Sequence, residues 1–132
     1  MAENVTPVTL KVGDFTPREV LSVDYKFNKS TDVEGQVTGA PRGGLVTVRV
    51  NALNDGNSEL VGWMLDVSNP KDFTISFLST KDGKSMKTLE GKSTYCIKYV
   101  ERWEEGVGHY EEIVISCKEF KNGPAEITNP WK

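Results

Sequence analysis

Apolar residues recur at every second position in run after run of this chain, and at a spacing of three and four in one short stretch only. A period of two marks strands that bury one face, so the pattern excludes a helical bundle. Residues 8–12, Val-Thr-Leu-Lys-Val, form a short alternating run. After Pro17, residues Leu21, Val23, Tyr25 and Phe27 make one side, with Ser22, Asp24, Lys26 and Asn28 between them. In 45–53 the apolar side is Val46, Val48, Val50 and Ala52; farther on it is Phe73, Ile75 and Phe77. Asp82-Gly83 is a hairpin signal with Met86 to Leu89 as its return strand. Residues 94–104 and 109–120 are the strongest pair of runs and meet at Gly106-Val107-Gly108.

The exception begins after the turn Asn54-Asp55-Gly56-Asn57, where Ser58 suits a helix N-cap. From Glu59 to Asp66, residues Leu60, Trp63 and Met64 fall at i, i+3 and i+4, the docking face of a short helix. Pro70 prevents its continuation. Seven or so strands with regular turns and one helix predict a mainly β chain, a compact antiparallel β-barrel with one short lateral α-helix. Closure avoids exposed sheet edges. Neither an internal repeat nor a linker divides residues 1–132, which read as a single domain.

Two stretches stand apart. Residues 29–44 have four glycines and no periodicity, which predicts an extended loop, and ordered loops of that length usually serve function. In the last hairpin, a turn centred on Gly106-Val107 makes opposed residue numbers sum to 213. Arg102 then faces Glu111, Val100 faces Ile113, Trp103 faces Tyr110 and Cys96 faces Cys117. One face carries Ile97, Tyr99, Trp103, Tyr110 and Val114; the other carries Val100, Ile113 and Ile115 among charges. Apolar groups on both faces point to a neighbour covering the outer one at Val100, Ile113 and Ile115; scattered surface residues account for the pattern equally well.

The formal net charge of −3 lacks the basic excess of a nucleic-acid binder, and no run approaches a membrane span. Met1-Ala2-Glu3-Asn4 leads into polar alternation without a basic or apolar leader segment. The expectation is a cytoplasmic protein, or one that leaves without a signal peptide. Cys96 and Cys117 are too few for a disulfide framework, and two reduced buried thiols are expected. His109 has Glu101, Glu104, Glu105, Glu111 and Glu112 near it in sequence, a conceivable metal set, but a solvated acidic turn explains it without a second imidazole or thiol ligand. No Gly-x-Ser-x-Gly elbow marks a nucleophile. Asp55, Asn57 and Glu59 alternate like a calcium loop but lack its glycine and closing glutamate, and Gly39 to Gly44 lacks the lysine of a phosphate loop. Neither a catalytic site nor a cofactor is expected.

The order of signals resembles the Hcp (TssD) tube proteins of type VI secretion in their Bacteroidetes-type form. Val20 to Phe27 is similar to the family's first long strand with Tyr-x-Phe, and Asp32-Val33-Glu34-Gly35-Gln36 followed by Gly43-Gly44-Leu45 to its loop. Leu60 to Leu65 resembles the Trp-Met helix, and Lys71 to Phe77 the next strand. Ser85 to Leu89, Thr94 to Tyr99, Ile113 to Ser116 and Asn122 to Trp131 continue the match. Gln36-Val37 stands where the family often has Arg-Pro. The resemblance implies a structural subunit that forms six-membered rings stacked into a tube, with sheath, spike and effector proteins as partners. It implies ring stacking through Asp32, Val33, Glu34, Gly35, Gln36, Val37 and Arg42. A soluble small-molecule-binding barrel is the alternative for a fold of this kind.

Overall fold

The computed structural model describes residues 7–53, 55–78 and 85–131. The Asp82-Gly83 turn, the Met1 to Asn4 segment, Asn54 and Lys132 lie outside them. The elements are β1 (Val8–Val12), β2 (Arg18–Tyr25), β3 (Leu45–Asn51), α1 (Glu59–Leu65), β4 (Lys71–Leu78), β5 (Ser85–Glu104), β6 (Gly108–Asn122) and β7 (Ala125–Thr128). All pairings are antiparallel, in the order β3-β2-β1-β4-β5-β6-β7, and β3 also pairs with β6. That pairing closes a six-stranded barrel and removes its edges. Along the same side of β6, Tyr110–Ser116 pair with β3, and Glu119–Asn122 pair with β7.

Alternation decides the interior. Leu10, Val12, Val46, Val48, Val50, Phe73, Ile75, Leu89, Ile113 and Ile115 are at most 2% exposed and fill the barrel. Burial of such side chains is the main stabilising term of the fold. The predicted return strand at Met86 to Leu89 and the run 94–104 form one strand, β5, of 20 residues. It follows two neighbours because it is bulged: register shifts occur opposite Lys71/Phe73 and at Cys96/Lys98, and Ser93 adopts φ +53°. Gly91 is required here, since a Cβ at that position would lie 2.2 Å from the buried ring of Phe73.

Register departs from expectation in two strands. The β5–β6 connection is centred on Gly106, with Glu104 opposite Gly108 and the Val107 N–H donating to Glu104 O at 3.0 Å. Opposed residues therefore run Trp103 to His109, Arg102 to Tyr110, Val100 to Glu112 and Tyr99 to Ile113. A one-residue slip exchanges the faces of a strand. Ile113 and Ile115 are 0% exposed inside the barrel, whereas Val100 is half-buried on the other face. The contact face predicted from Val100, Ile113 and Ile115 does not exist as one surface. The bulge at Cys96/Lys98 slips the pairing again, so Cys96 faces Ile115 and Cys117 faces Thr94. In β2, a bulge between Val20 and Ser22 turns Leu21 outward, 49% exposed, and Val20, Val23 and Tyr25 pack on the core.

Candidate functional site

Two features leave opposite ends of the barrel. β3 starts at Leu45, opposite Ser116, and ends at Asn51, opposite Tyr110. The segment joining β2 to β3 emerges at the first end, and the β5–β6 hairpin overhangs the second.

Residues 28–42 form an arm with two hydrogen-bonded legs, where sequence periodicity predicts only an extended loop. Asn28 and Arg42 exchange backbone hydrogen bonds of 3.0 and 2.7 Å, and the Thr38 N–H donates to Ser30 O at 2.9 Å. At the tip, Asp32 Oδ1 accepts the N–H groups of Glu34 and Gln36, each at 2.9 Å, and Gly35 takes φ +85°. This Asx-type turn explains the spacing Asp-x-x-Gly. Every residue of 28–42 is exposed, including Val33 at 103% and Val37 at 57%, so the arm adds no buried residue to the core. The structure brings Asp32, Val33, Glu34, Gly35, Gln36 and Val37 together at the tip and leaves Arg42 at the root.

The root is firmly held. Phe27 and Phe120 rings lie 5.8 Å apart and Tyr25 and Phe120 4.8 Å apart. Asn122 Nδ2 donates to the Tyr25 hydroxyl at 2.5 Å. Asn129 Nδ2 donates to Gly43 O and Cys117 O, at 3.1 and 2.9 Å. Gly44 has φ +103°, and a Cβ there would stand 2.7 Å from that Asn129 nitrogen. Nothing in the sequence around Asn129 signals this tether except its place before Pro130. Two open grooves flank the root. One of about 680 Å³ is lined by Tyr25, Lys26, Arg42, Leu45 and Val114 among others, the second of about 500 Å³ by Phe27, Lys29, Pro41, Ala125 and Ile127 among others.

At the opposite end, α1 places Leu60 and Trp63 against the barrel, 1% and 2% exposed, with Met64 packed at their margin. Phe15 meets Trp63 edge-on at 6.3 Å. Ser58 occupies the N-cap position without a side-chain cap bond. The start of the helix is instead fixed by Asn57 and Glu59: Asn57 Oδ1 accepts the Glu59 N–H, and Glu59 Oε1 accepts the Thr16 N–H at 2.9 Å. The Asn57 amide, then the Thr16 N–H, hold the Glu59 carboxyl below its ordinary pKa. The alternation Asp55, Asn57, Glu59 is thereby explained as a capping turn.

Beside α1 runs a polar chain that pattern reading missed. Arg18 Nη2 donates to Glu111 Oε1 at 2.5 Å and to Asn51 O at 2.6 Å. The Tyr99 hydroxyl donates to Glu111 Oε2 at 2.5 Å, and His109 Nε2 meets Glu101 at 2.7 Å. Arg18 and Glu111 are 3% and 4% exposed. Desolvation first, and the Glu111 hydrogen bond second, push the Tyr99 hydroxyl above its usual pKa. Glu111 thus has both oxygens engaged, and Arg18, 93 residues away, takes the partnership that the predicted register assigns to Arg102. The described residues hold no group of three His, Cys, Asp or Glu placed for a metal ion. Burial pushes the Cys96 thiol up to about 11 and Cys117 to about 12, and both are free.

No helix among the described residues is long and apolar enough to cross a membrane. No curated protein matches the chain. The family model for hemolysin coregulated protein Hcp (TssD) matches residues 6–132. Hcp1 from Flavobacterium johnsoniae superposes with a TM-score of 0.85 at 26% identity, covering 93% of this chain and 99% of that one. A double mutant of Hcp1 from E. coli (EAEC 042 pathovar) superposes at 0.75 and 12%, covering 96% and 100%. The sheath/tube terminator of an extracellular contractile injection system, PVC, shares the fold at 0.64 and 18%, covering 88% and 92%. The closed barrel with its lateral helix, matched over almost its whole length, belongs to the Hcp (TssD) family of type VI secretion tube proteins in its Bacteroidetes-type form.

Proposed function

We propose that this tube subunit works as a six-membered ring, that the rings stack through the arm, and that the lumen carries effector proteins. Its partners are then further copies of itself, together with sheath, spike and effector proteins, and it leaves the cytoplasm through the secretion apparatus. It acts through interfaces and not through catalysis. The observation that carries the reading is the arm: an ordered segment, fully exposed, with Val33 and Val37 presented to solvent at the tip. Exposed apolar side chains on a fixed scaffold suit a surface that a partner covers. A ring has a heterologous interface, so each subunit needs two different lateral patches besides its axial ones. Residues 1–132 act as one unit in this reading.

Light scattering on the purified protein tests it. The expected mass is six times the 14.7 kDa of the chain. A monomer that retains a small molecule through gel filtration overturns the ring and favours the ligand-binding barrel.

A further inference from the structure

The tip of the β5–β6 hairpin is unusual for a turn. Residues 101–108 are all exposed, yet they carry Trp103 at 67% and Val107 at 68% exposure. Around them stand Glu101, Glu104 and Glu105, against Arg102. Glu101 is engaged with His109, which leaves Glu104 and Glu105 beside the two apolar side chains. Trp103 makes no ring contact within the described residues, whereas Trp63 packs on Phe15, and Trp131 on Tyr95 at 6.2 Å.

The other end of the barrel offers the complementary surface. The 500 Å³ groove between the arm root and β7 is walled by Phe27, Pro41, Ala125 and Ile127, with Lys29 at its edge. Its one carboxylate, Glu126, lies 4.0 Å from Lys121 Nζ. The adjoining legs of the arm carry Lys26, Lys29 and Arg42 and no acidic residue within 26–30 or 41–44. Phe27 is 43% exposed there. An apolar groove with basic flanks thus lies at one end of β6, and an apolar tip with acidic flanks at the other. Along β6, the stretch from His109, opposite Trp103, to Phe120, opposite Ile127, separates them, about 35 Å at the rise of a strand. Two copies in the same orientation, displaced along that direction, bring tip and groove together. Val33 of the arm cannot fill the groove in that arrangement, because it leaves from the groove's own end.

We propose that Trp103 of one copy enters the groove of a second copy in the next ring, between Phe27 and Ile127, with Glu104 and Glu105 against the Lys29 side. The contact rests on the stacking reading above and adds a second axial attachment at the root of the arm. A large aromatic anchor in an apolar pocket is the usual centre of an interface. Opposite charges at its margin favour one relative orientation over others. Six such contacts close together when two rings meet, so a modest single contact is multiplied.

Cross-linking between two separately prepared ring populations tests this. One carries Val107→Cys, the other Pro41→Cys, and they are mixed with a short bis-maleimide; native Cys96 and Cys117 are buried and do not compete. The expected product is a covalent dimer of one subunit of each kind. Adding Trp103→Ala to the first population should lower its yield by at least about tenfold. Adding Lys29→Glu to the second should lower it too, and Glu104→Lys in the first should then recover it. Absence of the mixed dimer, or an undiminished yield with Trp103→Ala, overturns the contact. Light scattering of each population before mixing separates this from failure of the ring: particles of one chain's mass would overturn the ring itself.

Discussion

The helix and the arm are the two departures from alternating strand, and they solve opposite problems. α1 has seven residues, too short to be stable as an isolated helix, yet it buries Leu60 and Trp63 almost completely. The arm is longer, is ordered by backbone and Asx-turn hydrogen bonds, and buries nothing. Apolar burial therefore holds α1, and α1 in return adds Leu60 and Trp63 to the core. Hydrogen bonds shape the arm, but these contribute little net stability where water competes. One departure from alternation thus supplies burial and the other supplies available surface. A subunit of an assembly can be altered at its contacts without unfolding if the two are kept apart in this way.

The comparison is sharpest at Trp63. Trp63→Ala should lower stability by about 3–5 kcal/mol, the usual cost of removing a buried aromatic side chain. Its Nε1 is buried without a hydrogen-bond partner among the described residues, so the loss is of packing and not of a polar contact. Urea titration measures the change, and a loss below about 1 kcal/mol would show that Trp63 does not anchor α1 to the core.

A smaller effect probes the core beneath the arm root. The Cys117 backbone bonds to Gly44 and Asn129, while its thiol points into the core. Folding raises both thiol pKa values from 9.0, to about 11 for Cys96 and about 12 for Cys117. The unfolded chain thus loses these protons at lower pH than the folded one. Stability is complete below pH 9 and declines as pH rises toward 11–12, by about 1 kcal/mol per thiol near pH 10. Urea midpoints at pH 8 and pH 10 should differ for the parent and differ less for Cys96→Ala/Cys117→Ala. Tyr99 shifts in the same direction and leaves a residual slope. Equal slopes in both proteins would mean that the thiols are solvated through an opening root.

Alternation in Val46, Val48 and Val50 and helical spacing in Leu60, Trp63 and Met64 were legible because the period reports directly which side meets the core. Barrel closure followed from the number of short strands and their turns. Register was not legible. It depends on whether a turn centres on Gly106 or between Gly106 and Val107, and on single inserted residues at Val20/Ser22 and Cys96/Lys98. Each such residue reverses the faces beyond it, which is why Ile113 and Ile115 read as surface and Leu21 as core. The Arg18–Glu111 pair and the Asn129 tether were illegible for another reason. Their partners are brought together by closure of the barrel or by the return of the tail, and no local pattern encodes that. The arm was visible as a long aperiodic stretch; its legs were not, since the Asn28–Arg42 and Thr31–Val37 bridges have no hydrophobic signature.

The smallest expected effect on stability belongs to the arm tip and would do most to break the comparison. Replacing Val33 to Ala40 by a short Gly/Ser turn removes the Asp32-centred turn and both exposed valines. It leaves the Asn28–Arg42 bridge and the root aromatics in place. No core contact is lost, and shortening a flexible closure changes its entropy by only tenths of a kcal/mol. The urea midpoint should move by no more than about 0.5 kcal/mol, as for other surface changes. The proposed ring, assigned no contact through residues 33–40, should survive by light scattering. Stacking should fall below detection by electron microscopy, and secretion should fail with it. The root groove would still be present, so stacks at the parent's concentration would assign axial contact to the root and hairpin and deny it to the tip. A stability loss comparable to that of Trp63→Ala would instead show that the exposed arm contributes to the barrel after all, and the division between a stabilising helix and an assembling arm would fall.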